Sequence, residues 1–151
     1  MRIKAETEVA LAPGEAFDAL AALPPMEHLA RHRALEVARL DATPPTAEGA
    51  RWRLAFTLAG RRHAVDVRLA AVARPELLLF ESRGEAVAAT TCLALAASGH
   101  GARLQVVLTP EPRGLAGRVV MQAARLRRER IEAGLAARLE AYARRLEAQA
   151  G

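Results

Sequence analysis

The stretch Arg51-Trp52-Arg53-Leu54-Ala55-Phe56-Thr57-Leu58-Ala59-Gly60-Arg61-Arg62-His63-Ala64-Val65-Asp66-Val67-Arg68-Leu69 decides the fold. Trp52, Leu54, Phe56 and Leu58 alternate with Arg51, Arg53, Ala55 and Thr57. After the Gly60-Arg61 turn, His63, Val65, Val67 and Leu69 alternate with Arg62, Ala64, Asp66 and Arg68. Period-two alternation is the pattern of a half-buried strand, and two such runs joined by so short a turn form an antiparallel hairpin. The same punctuation continues downstream. Arg74-Pro75-Glu76 turns into a strand over 77–82, and Arg83-Gly84-Glu85 into a long strand over 86–97 with Val87, Ala89, Thr91, Leu93 and Leu95 on one side. Ser98-Gly99-His100-Gly101 then turns into Leu104, Val106 and Leu108. Connections this short leave only antiparallel neighbours, so the middle of the chain is a meander.

Upstream, residues 2–10 set Ile3, Ala5, Thr7 and Val9 against Arg2, Lys4, Glu6 and Glu8, which predicts another strand. Pro13 suits the first turn of a helix over 13–22 that buries Phe17 and Leu20. Pro24-Pro25 ends it, because proline lacks an amide donor and biases its predecessor away from helical angles. A second short helix is expected over 25–32, and a weak strand from Leu35 through Val37 toward Leu40, closed by the turn-rich Asp41-Ala42-Thr43-Pro44-Pro45. Downstream, Pro110-Glu111-Pro112-Arg113-Gly114 ends the sheet. Leu115, Val119, Leu126, Ile131, Leu135, Leu139, Tyr142 and Leu146 then predict one helix over 115–148, about 50 Å long at ~1.5 Å per residue.

With 151 residues and no break in composition, a single domain over 1–151 is expected, large enough for a core without disulfides or metals. The lone cysteine, Cys92, excludes an intrachain disulfide. The alternating N-terminus is not a secretory signal, and no run approaches the roughly 20 apolar residues of a membrane span, so a soluble cytoplasmic protein is expected. The net charge of +5 and pI near 10.8 invite a nucleic-acid reading. The arginines are spread along the chain, however, and the alanine and arginine excess reads as the GC-rich coding bias of a bacterial genome. Glu129, Glu132, Glu140 and Glu147 alternate with the C-terminal arginines, as on a solvated helix face. Three Phe, one Trp and one Tyr leave little to stack on bases, which argues against nucleic acid as a partner.

One strand, two small helices, a meander and a closing helix make an α+β helix-grip arrangement: a curved antiparallel sheet of about seven strands wrapped around a long C-terminal helix. In Glu8-Val9-Ala10-Leu11-Ala12-Pro13-Gly14-Glu15-Ala16-Phe17-Asp18-Ala19-Leu20, in Ala73-Arg74-Pro75-Glu76-Leu77-Leu78-Leu79-Phe80 and in Gly99-His100-Gly101-Ala102-Arg103-Leu104, the chain resembles the SRPBCC superfamily. That superfamily includes START domains, polyketide cyclase/dehydratase-like proteins and the birch-pollen-allergen family. The resemblance implies a cavity between sheet and helix that holds a hydrophobic molecule such as a lipid, sterol, quinone or polyketide. It also keeps two alternatives open: a cyclase or dehydratase type of enzyme, and an interaction module acting on a chaperone or ribosome.

Strand parity nominates Trp52, Phe56, His63, Val67, Phe80 and Thr91 as cavity-facing, with Leu126 from the helix. The bland counterpart for each aromatic is a place in the core. His63 also sits beside a hairpin turn, where a hydrogen-bonded or solvated histidine is the commoner outcome than an acid or base. His28 and His32, four apart on the second helix, have a chelating spacing but no third ligand, so no metal site is assigned. Cys92 reads as a structural thiol. No catalytic residue and no cofactor are assigned, and the expected partner is a hydrophobic small molecule. A one-residue register slip reverses the whole set.

Overall fold

The computed structural model describes residues 1–58, 60–99 and 101–150. His100, which the sequence puts in the turn before the last strand, lies outside the described residues. The elements are β1 (Ile3–Val9), α1 (Pro13–Ala22), α2 (Pro25–Leu29), β2 (Leu35–Arg39), β3 (Arg51–Leu58), β4 (Arg61–Ala73), β5 (Leu77–Gly84), β6 (Val87–Ser98), β7 (Gly101–Pro112), α3 (Gly114–Leu126) and α4 (Arg128–Ala150). The strands form one seven-stranded antiparallel sheet in the order β1-β7-β6-β5-β4-β3-β2. The N-terminal strand thus joins the last one, with Ile3 opposite Leu108 and Val9 opposite Ala102.

The alternating pattern holds across the sheet. Trp52, Val67, Leu69, Leu78, Phe80, Leu93, Leu95, Leu104 and Val106 are all buried. On the opposite face Arg53 Nε meets Asp66 Oδ1 at 3.0 Å and an Arg68 Nη meets Glu81 at 2.9 Å, which is a surface charge ladder. A register shift between Leu69 and Ala71 adds an extra residue in β4, a device that bends a strand and sharpens its twist.

Two helical expectations are corrected. α2 stops at Leu29, not at residue 32, because the amides of Arg31 and His32 bond to the carbonyls of His28 and Leu29, three residues back. That tightened turn ends the α-helix, and His32 lies beyond it. Nor is the C-terminus one helix, since it breaks at Arg127. Between Ala124 and Ile131 no residue continues the buried face of α3, since Leu126 is exposed and the other five side chains are charged. The apolar recurrence read from the sequence joins two stripes on opposite sides. At about 3.6 residues per turn, Leu115, Val119 and Leu126 lie across α3 from its buried Val120, Met121 and Ala124. Gly117 lets α3 approach the sheet, since a Cβ there overlaps the carbonyl oxygen of Ala86, whereas a Cβ on Gly134 meets nothing.

α4 packs on α1 and along β1, the free edge of the sheet. An edge strand presents unpaired backbone groups, and here charged side chains of α4 satisfy some of those on β1 and just beyond its ends. Glu132 accepts from the Lys4 amide at 3.0 Å and Glu147 from the Ala10 amide at 2.8 Å. Arg128 donates to the Arg2 carbonyl at 3.0 Å and Arg144 to that of Glu8 at 2.5 Å. Part of the Arg/Glu alternation expected to be a solvated face is therefore a lattice of edge caps.

Candidate functional site: a cavity under α4

Between the inner face of the sheet, α2 and α4 lies a cavity of about 190 Å³. Its floor is set by strand parity: Val67, Phe80, Thr91, Leu93 and Val106 come from four successive strands, with Ser82 two residues beyond Phe80 on the same face. Leu135, Arg138, Leu139 and Tyr142 of α4 form the roof, three or four residues apart and so on one side of the helix. Met26, His28 and Leu29 of α2 close the flank.

The polar groups gather at the α2–α4 seam. Tyr142 Oη donates to the Leu23 carbonyl at 2.7 Å, and burial pushes its phenol far above the usual range, so it stays neutral. The His28 ring lies against Tyr142 at 4.8 Å between centroids, and its Nδ1 accepts from Arg145 Nη1 at 2.9 Å. Burial first, then the charges of Arg145 and Arg31, hold His28 below its ordinary 6.5. Arg138 Nη2 similarly contacts His32 Nε2 at 3.1 Å. With each histidine bound to a guanidinium and His32 outside the helix, the two do not present a chelating pair. Arg138 is the one charged side chain among the described residues lining the cavity.

The lowered His28 value has a definite sign. As pH falls, the unfolded chain takes up this proton near 6.5 while the folded chain resists it, so stability declines from about pH 7 downward and levels off below the folded value. Urea midpoints across that range are expected to show this slope, flattened in His28→Gln.

Of the residues nominated from the sequence, Val67, Phe80 and Thr91 meet in the lining. Trp52 sits behind it, 1 % exposed and 6.1 Å from the Phe80 ring. Phe56 and His63 are cross-strand partners stacked at 5.7 Å near the β3–β4 turn, outside the lining, with His63 Nε2 buried and unpartnered. Leu126 is 89 % exposed at the end of α3 and lies outside the cavity, because it belongs to the outward stripe. Cys92 is half-buried, with a thiol that burial shifts upward, away from the reactive thiolate. Ser82 and Arg138 are not among the nominated residues, and His28 enters only as a metal-ligand candidate. Continuing the period-two pattern past Phe80 finds Ser82, whereas no local pattern places His28 or Arg138 in the cavity.

Comparison with solved structures decides the architecture. TTHA0849 from Thermus thermophilus superposes over 100 % of both chains with a TM-score of 0.69 at 14 % identity. The chain has the helix-grip fold. This helix-grip domain also matches Ara h 8.0201 at a TM-score of 0.62 and 15 % identity, covering 95 % of this chain and 97 % of that one. It matches the di-domain ARO/CYC StfQ of the steffimycin biosynthetic pathway at 0.68 and 14 % identity, over 99 % of this chain and 50 % of that one. No protein-family model and no curated protein matches the helix-grip sequence.

Proposed function

We propose that the protein, as one domain over residues 1–151 working in the cytoplasm, binds a small hydrophobic or amphipathic molecule between its sheet and α4 as a carrier or sensor. A lipid, quinone or polyketide-like compound fits this reading. The observation that carries it is the cavity itself, with a floor of apolar side chains and Thr91, and a single cation, Arg138, at the roof. Apolar enclosure with a few placed polar groups is the ordinary make-up of a ligand site. At about 190 Å³ the cavity is below the roughly 300–1,000 Å³ common for ligand pockets, which favours a small or slender guest. The location of His63 outside the lining supports binding over proton transfer.

The test has two parts. Native and denaturing mass spectra of protein from its own host are expected to differ by a small molecule released on unfolding. In calorimetry, decanoate is expected to bind more tightly than decanol by roughly tenfold, a partly screened charge-assisted contact to Arg138 that Arg138→Gln abolishes. Binding of neither compound, together with no released molecule, overturns the reading.

A further inference from the structure

The large apolar side chains left mostly exposed among the described residues are Leu115 at 78 %, Val119 at 66 % and Leu126 at 89 %. All three lie on α3. Spaced four and seven apart, they form one stripe with Gln122 between them, opposite the face by which Gly117, Val120, Met121 and Ala124 pack inward. Leaving three such side chains in water on a 13-residue helix is unfavourable unless something covers them.

The charges around the stripe say what kind of surface that is. α3 contains no acidic residue. Arg118 and Arg125 flank the stripe on one side and Arg127 on the other, with Arg130 just beyond, and none of the four pairs with a carboxylate among the described residues. A second copy docked through this face brings arginines against arginines. A partner peptide finds no groove along Leu115 and Val119, and the depression beside Leu126 is lined mainly by arginines, which favour an anion over an apolar peptide. A plane of acyl chains beneath anionic headgroups matches both features at once.

We propose that α3 is a docking helix for an anionic lipid surface, inserting Leu115, Val119 and Leu126 at the acyl boundary while Arg118, Arg125 and Arg127 engage headgroup phosphates. The break at Arg127 lets this helix lie on the surface without dragging α4 from the edge of the sheet. The proposal is independent of what the cavity holds.

Flotation of the full chain with phosphatidylcholine vesicles, with and without phosphatidylglycerol, tests it. Binding is expected to the anionic vesicles alone and to weaken with salt. Val119→Glu/Leu126→Glu is expected to abolish it with little change in melting temperature, because both side chains are mostly exposed. Arg118→Gln/Arg125→Gln is expected to weaken it by roughly tenfold to thirtyfold. Failure to float with anionic vesicles overturns the proposal, as does flotation that either double variant leaves intact. A dimer that Val119→Glu/Leu126→Glu dissolves, without vesicle binding, assigns the stripe to a second copy instead.

Discussion

Trp52→Ala is expected to lower folding stability by about 3–5 kcal/mol, a large share of the roughly 5–15 kcal/mol that holds a small domain together. Trp52 is among the largest side chains that the fold buries completely. It lies cross-strand from Val67 and against Phe80, and the Arg39 guanidinium covers its ring at 5.1 Å. Truncation removes the apolar surface and leaves a void, because neighbours fixed by strand pairing cannot collapse into it. The measurement is the urea midpoint with the denaturant slope unchanged, followed by circular dichroism because the variant has no tryptophan left. Trp52→Phe should recover much of the loss. A cost below about 1 kcal/mol would show that this ring is not the anchor its burial implies.

Thr91→Trp is expected to reduce ligand binding below detection while the domain still folds. The half-buried Thr91 side chain projects from the middle of the cavity floor, next to Phe80 across β5 and in line with Leu93. An indole there occupies most of a space of about 190 Å³. Overpacking of this kind costs about 1–3 kcal/mol, less than most domains lose before unfolding. The control is the adjacent position. Thr90 is exposed on the other face of the same strand, so Thr90→Trp should bind as the parent does. Equal binding by parent and Thr91→Trp places the ligand elsewhere. Binding lost in Thr90→Trp but kept in Thr91→Trp reverses the parity of β6.

The contrast between these two threonines shows what the sequence makes legible. Strand period is a local property, so the hairpin at Gly60, the seven strands and the inward set Val67, Phe80 and Thr91 follow from it directly. Phe56 and His63 share that parity but lie too near the turn to reach the cavity, a matter of position along the strand that alternation does not encode. Helix faces were harder to read. A stripe continues through a helix only where something inward remains to be buried, and the Arg125–Arg130 run interrupts it. Leu126 therefore falls on the outward face of α3, although its spacing from Leu115 and Val119 is helical. His28 meets Arg145, and His32 meets Arg138, across 117 and 106 residues of chain, and only the assembled fold puts them together.

The caps that α4 supplies to β1 also bear on the order in which the sheet can close. The amides of Lys4 and Ala10 wait for carboxylates 128 and 137 residues further on, and β1 finds its ladder partner only in β7. Such distant pairings are slow to close. During synthesis the first strand leaves the ribosome with neither edge matched, and the meander from β3 onward can zip up before it. β1 is consequently expected to dock late, and a chain that stops before α4 is left with an open, sticky border at β1. A chain truncated at Arg113, with α3 and α4 removed, should thus be prone to strand-to-strand association.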